Sequence, residues 1–179
     1  ALTHKLNFRK KIYPNYKFNR KNLRKPVAYQ AVKEWLKENY KCYEKPYLEG
    51  DDCLGILATS DIIKGEKLVV SKDKDLKTIP CQLYTITGQG EYLDIDEHKA
   101  DYWHMHQTLT GDVSDNYKGC PKVGAVTASK ILDGLKKSKE MWEAVVAQYK
   151  KQNLSTKDAL LQARLARICR ATDYNFERQ

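Results

Sequence analysis

Seven carboxylates fall into three short clusters, each at the end of an apolar run: Glu49, Asp51 and Asp52 in LEGDDCLG, Asp73 and Asp75 in VVSKDKDL, and Asp112 and Asp115 in LTGDVSDN. Like charges gathered at the ends of secondary-structure elements repel one another. A fold that brings the clusters together therefore needs an agent to offset the repulsion, and the usual one is a divalent cation.

The apolar runs suggest what lies between the clusters. Residues 5–25 are basic and broken by Pro14, and Pro26 follows directly; they read as a loop or arch with a short helix. Val27 to Tyr40 carries Val27, Ala31, Val32, Trp35 and Leu36 at helical spacing, which predicts a helix with one buried face. Cys42 to Leu48 reads as a short strand that Pro46 weakens. Asp51 and Asp52 precede Cys53–Ala58 and suit a helix N-terminus, where the dipole favours negative charge. Lys67–Ser71 reads as a buried strand with Asp73 and Asp75 at its carboxyl end. Residues 82–87 and 91–95 read as two strands joined by a Gly88-Gln89-Gly90 hairpin. Helices are expected over 97–109, 124–134, 139–150 and 156–172. Strands alternating with helices imply an α/β core with a mostly parallel sheet, in which ligand sites lie beyond the carboxyl ends of the strands.

At 179 residues the chain suffices for one domain with a sizeable core. The +9 net charge is concentrated at one end. Residues 1–45 hold 13 Lys and Arg against three acids, a net of +10, and the remainder holds 19 against 20, a net of −1. Such a block usually meets a polyanion, and the interleaved Phe8, Tyr13, Tyr16 and Phe18 argue against a purely disordered tail. No window reaches the apolar length of a membrane span, so no membrane partner is expected. The five cysteines are odd in number and widely spaced. That spacing disfavours a disulfide framework or zinc cluster and suits a reducing cytoplasm.

Oxygen-only ligands select hard cations such as Mg²⁺ or Mn²⁺, and clusters from distant parts of a chain suggest a shared pocket rather than a linear calcium loop. Two ions about 3.5–4 Å apart could serve phosphodiester hydrolysis beside a basic surface. Taken singly, Asp51 or Asp52 would more often be a helix cap, Asp73 or Asp75 a turn acid, and Asp112 and Asp115 an ordinary loop. The ordered set of three clusters favours the metal site. Gly119 and Gly124 bracket a tight hairpin, YKGCPKVG, that opens onto a helix N-terminus able to meet phosphate through backbone N–H groups. An ordinary helix–turn–helix packing element is the plainer alternative there.

Taken together these segments resemble the flap endonuclease / 5′ nuclease family. EGDD matches its E-x-D-D motif, SKDKDL its S-x-D-x-D segment, and TGDVSDN with GCPKVG its G-D-x-x-D-N block and helix–three-turn–helix element. PNYKFNRK, RKPVAYQ and ARICRATDYNF are similar to the branch found in short-tailed coliphages. The resemblance implies a PIN-like (Rossmann-like) α/β fold, with a basic arch region over 1–26, an acidic α/β core over 27–115 and a helical DNA-binding part over 116–179. It implies that Glu49, Asp51, Asp52 and Asp73 bind or support a first metal, that Asp75, Asp112 and Asp115 bind or support a second, and that Lys17, Asp73 and Asp75 have catalytic roles. Arg9, Lys17, Arg20 and Lys21 would hold phosphates near the cut. Gly119, Lys122, Val123 and Gly124 would hold duplex DNA around a K⁺ ion. The substrate would be duplex DNA with a 5′ end, nick or flap, cut to leave a 5′-phosphate, in a bacterial host cytoplasm alongside replication proteins.

The resemblance carries two departures. The family's first strand, ending in a metal-ligand Asp, is expected to lie before Ala1, and His4 takes the place of a second family acid. Two other readings follow: a structure-specific DNA-binding module without catalysis, and a PIN-type ribonuclease.

Overall fold

A computed structural model describes residues 1–177 of the chain. Seven α-helices and three strands follow one another: α1 (Phe8–Ile12), α2 (Tyr29–Asn39), α3 (Gly50–Thr59), β1 (Leu68–Ser71), β2 (Cys81–Thr85), β3 (Glu91–Ile95), α4 (Glu97–Thr110), α5 (Ala125–Leu132), α6 (Ser138–Lys151) and α7 (Thr156–Ala166). Short 3-10 turns cover Phe18–Arg20, Lys74–Thr78 and Ala171–Asp173.

The sheet runs β1-β2-β3, with β1 parallel to β2 and β2 antiparallel to β3. It is small and mixed rather than mostly parallel. The Gly88–Gly90 turn is too short for a crossover, so β3 must run back along β2. Val69, Leu76, Ile79, Leu83, Ile95 and Ala100 close one core against the sheet. A second core lies among the helices, with Leu109, Cys120, Val123, Leu132, Met141, Val145 and Tyr149 at its centre. Helix α4 contributes to both, so the loop after it is fixed relative to the sheet.

Local capping explains where the helices begin. Glu49 and Asp52 form a reciprocal capping box on α3, Asp96 Oδ1 accepts from Lys99 N at 2.7 Å on α4, and Ser155 and Asp158 box α7. Helix α4 ends on Gly111 at φ +69°. A side chain there would meet the Lys118 backbone at 2.4 Å, so the close approach of the two chain segments requires glycine.

Three further expectations are corrected. Cys42–Leu48 forms no strand. Pro46 has no N–H, Tyr47 sits at φ +64°, and the segment instead accepts bonds from Leu2 N to Tyr43 O and from His4 N to Leu48 O. Helix α2 forms but buries none of its residues, with Val32 and Trp35 about half exposed; Lys33 and Lys37 tether it through Glu44. Helix α7 ends at Ala166 instead of 172. Beyond it the chain extends across α3, where Cys169 O abuts Gly55 so closely that a Cβ would sit 2.3 Å away, and Ala171 N donates to Thr59 Oγ1. Ile168 and Cys169 keep the apolar pattern but spend it on α3.

All five cysteines are free. Among the described residues, no helix is long and apolar enough to cross a membrane.

Candidate active site

Each acidic cluster reaches the site from a different element. Glu49, Asp51 and Asp52 stand at the N-terminus of α3. Asp73 caps the 3-10 turn after β1, its Oδ1 accepting from Asp75 N at 2.9 Å. Asp112 and Asp115 lie in the loop after α4, which a paired bridge between Asp112 and Tyr117 folds back on itself. Asp112 Oδ1 accepts from Ser114 N and Ser114 Oγ at 2.6 Å. All seven carboxylates line one cavity of about 460 Å³, together with Arg9, Tyr16, Lys17 and Arg20.

The acids divide by their partners. Arg9 is 3% exposed and forks onto fully buried Asp52 with two bonds of 2.7 Å; it also reaches Glu49 Oε2 at 3.2 Å and donates to the carbonyls of Leu165 and Arg167. Asp52 further accepts from Glu49 N and Cys169 N. Burial works against both charges, and the pairing outweighs it: the Asp52 carboxyl is held below the usual range and the Arg9 guanidinium above its own. Lys17 reaches Glu49 Oε1 at 2.5 Å and Asp115 Oδ2 at 3.4 Å, and Arg20 pairs with Asp115 Oδ1 at 2.8 Å. The buried Tyr16 hydroxyl donates between the same two acids, 2.9 Å from Glu49 Oε2 and 2.7 Å from Asp115 Oδ2.

Asp51, Asp73, Asp75 and Asp112 make no ion pair among the described residues. Burial, then the charges of Asp73 and Glu49, push Asp51 up to about 6. Burial, then Asp73 and Asp112, push Asp75 up to about 6. Both shifts come first from burial and then from neighbouring negative charge that no ion pair offsets among the described residues. Oxygen-only donors with excess charge fit hard divalent ions. Among the described residues no three His, Cys, Asp or Glu side chains stand close enough together to hold a metal ion as they are placed. Lys17 stands between Glu49 and Asp115 instead, and Arg20 holds Asp115 through its other side-chain oxygen.

Several residues singled out from the sequence take different places. Asp52 lines the cavity wall, but both its oxygens are engaged by Arg9 and backbone N–H groups, so it supports α3 rather than offering a free ligand atom. Arg9 is too buried and too fully bonded to meet a phosphate. His4 lies outside the acid cavity, its Nδ1 accepting from Leu6 N and Tyr47 N. Lys17, Arg20 and Lys21 line a neighbouring basic cavity of about 680 Å³ with Lys5, Lys10 and Lys25.

In the hairpin, Gly119 at φ +65° packs against Gly111, and Cys120 N donates to Leu109 O at 2.7 Å. Lys122 and Gly124 are exposed, whereas Gly119 is buried and the Val123 side chain is buried in the helical core. Val123 can therefore offer a ligand only its backbone.

Sequence reasoning missed Tyr16 and Gln107. Tyr16 is adjacent to Lys17 in the basic block, where the sequence marks it only as one of the aromatics that argue against a disordered tail; Glu49 and Asp115 flank it in the fold. Gln107 lines the acid cavity with Asp75 and works to lower the Asp75 pKa against burial, and its position within α4 carries no signal of that role.

Residues 2–103 match the family described as 5′–3′ exonuclease, N-terminal resolvase-like domain. The chain is 32% identical to the exonuclease of Escherichia phage T7, over 98% of this chain and 69% of the relative. It is 31% identical to the exodeoxyribonuclease of Enterobacteria phage T3 over the same shares. Among solved structures it resembles bacteriophage T5 flap endonuclease in a pseudo-enzyme–product complex with DNA and metal ions. That match has a TM-score of 0.67 and 16% identity, over 92% of this chain and 71% of that one. A zinc-bound form of the T5 5′-exonuclease matches with a TM-score of 0.68 and 17% identity over the same shares. These structural likenesses carry the fold.

Proposed function

The chain belongs to the 5′–3′ exonuclease family, and on that premise we propose that it is a metal-dependent 5′→3′ exonuclease / flap endonuclease acting on DNA at 5′ ends, nicks or flaps. The carrying observation is the cavity itself: seven carboxylates line it, four of them without an ion pair among the described residues, next to a basic cavity that shares Lys17 and Arg20.

Asp51, Asp73, Asp75 and Asp112 would hold two divalent ions, Mg²⁺ or Mn²⁺, with Glu49 and Asp115 joining once Lys17 and Arg20 turn to substrate. Such ions supply Lewis acidity to the phosphoryl group and to the attacking water. The remaining work falls to the chain. Lys17 places an ammonium where negative charge grows on the phosphoryl oxygens. Arg20 and exposed Lys21 hold flanking phosphates. Tyr16 keeps Glu49 and Asp115 at a fixed spacing when the cations leave. Arg9 and Asp52 anchor α3 beneath them.

Within this reading, residues 1–26 form a phosphate-binding arch and 27–115 the acidic core. Residues 116–177 grip the duplex through a helix–three-turn–helix element, with K⁺ among the hairpin carbonyls beside Lys122 and Gly124.

The test is cleavage of 5′-labelled duplex DNA. Short 5′ products in Mg²⁺, none in chelator, and a loss of at least about 100-fold for Asp73→Asn are expected, the size seen when transition-state charge stabilisation is removed. Undiminished cleavage by Asp73→Asn would refute the assignment.

A further inference from the structure

A third cavity, of about 690 Å³, adjoins the acid site and shares Lys74, Asp75, Gln107, Asp112 and Ser114 with it. Its volume falls within the roughly 300–1,000 Å³ of small-molecule sites. The far wall is aromatic. Trp103 is 38% exposed, an unusual state for an indole in the middle of a helix that packs both cores. Tyr102 and His106 meet its ring edge-on, each 5.4 Å between centroids, and so hold the indole in place. The Lys77 ammonium lies over the ring at 5.5 Å, a loose contact on a flexible stem. A π-face, two lysines (Lys74 and Lys77) and an opening into a carboxylate site match, in turn, a base, a phosphate and the phosphodiester bond that would be cut.

We propose that Trp103 is the floor of a nucleotide subsite, stacking a base of the strand beside the cleaved phosphodiester while Lys77 swings from the ring to a phosphate. Stacking reads the π-face common to every base, so the subsite is indifferent to sequence. The inference rests on the nuclease reading only in taking the ligand to be a piece of DNA. Unlike the arch cations, this subsite lies on the α4 side of the acids.

The test is calorimetric titration of the full chain with thymidine 5′-monophosphate and with base-free 2-deoxyribose 5-phosphate. Wild type should bind the nucleotide about tenfold more tightly than the sugar phosphate, the lower part of the range for one stacked base. Trp103→Ala should erase that ratio and Trp103→Phe should largely keep it. Lys77→Ala, at a partly exposed position, should weaken both ligands by a common factor and keeps the test open if Trp103→Ala does not fold. Equal affinity of wild type for the two ligands would overturn the proposal, as would a Trp103→Ala protein that still prefers the nucleotide, or a Lys77→Ala protein that binds both as wild type does. Binding needs no turnover. Base-dependent binding without DNA cleavage would leave the subsite standing and remove the nuclease reading; cleavage without it would do the reverse.

Discussion

Replacing Arg9 with alanine tests the framework beneath the acids. In the folded chain Asp52 is fully buried and accepts two guanidinium bonds at 2.7 Å, plus Glu49 N at 3.0 Å and Cys169 N at 3.1 Å. Arg9→Ala removes the one cation that, among the described residues, pairs with this carboxylate, and strands the Leu165 and Arg167 carbonyls. Removing one partner of a buried pair costs about 3–5 kcal/mol, a large part of the roughly 5–15 kcal/mol that stabilises a domain. Urea unfolding followed by circular dichroism reads this as a lower midpoint at unchanged slope. The pH dependence supplies a second signature. In wild type the Asp52 pKa lies below its unfolded value, so its contribution is present above the unfolded pKa and lost as pH falls through the folded one. In Arg9→Ala, burial without a partner raises that pKa, so protonation favours the folded state. The deficit should therefore shrink as pH falls from 7 towards about 4. An Arg9→Ala protein within about 1 kcal/mol of wild type at pH 7, or a deficit that widens on acidification, would refute the reasoning.

Asp75→Asn should stabilise the metal-free protein at pH 7–8 by about 1–2 kcal/mol after allowance for solvent screening. With a folded pKa raised to about 6, the Asp75 contribution is full below the unfolded pKa and lost as pH rises through 6, so chemical denaturation in chelator should show the gain vanishing near pH 4. Gly119→Ala would place a Cβ 2.3 Å from Gly111 N at φ +65° and should lower stability by about 2 kcal/mol or more, whereas Gly124→Ala meets nothing within 4 Å and should leave the melting temperature nearly unchanged. Burial lowers the His104 pKa to about 4, so its contribution is present above about 6.5 and lost as pH falls towards 4. The difference between wild type and His104→Gln should change by up to roughly 3 kcal/mol across that window, and a flat difference would contradict a neutral buried imidazole.

How far the sequence could be read follows from how local each cause is. Asp51 and Asp52 before an apolar run mark the start of α3 because capping and the helix dipole act within one turn. The two strands around Gly88–Gly90 were legible because a short glycine turn permits only a hairpin. The convergence of the three clusters was inferred from their order, and the cavity they line is its structural counterpart. What escaped depends on distant partners. Arg9 reads as one more cation in a basic block until Asp52, 43 residues away, is found against it. The end of α7 carries no proline or glycine, since the chain leaves the helix to cover Gly55 on α3. Helix α2 has core-like spacing, yet its apolar residues stay exposed; periodicity reveals that a face exists but not what covers it.

The central claim is that the unpaired carboxylates form one divalent-ion site serving a 5′ nuclease. Calorimetric titration with Mn²⁺, run in parallel with cleavage of a 5′-labelled duplex, tests it most directly. Wild type should bind Mn²⁺, and Asp73→Asn and Asp75→Asn should each weaken binding by about tenfold or more and lose cleavage with it, as expected when a hard cation loses a charged oxygen ligand. Mn²⁺ affinity that is unchanged in both variants, or cleavage that persists in chelator, would contradict it.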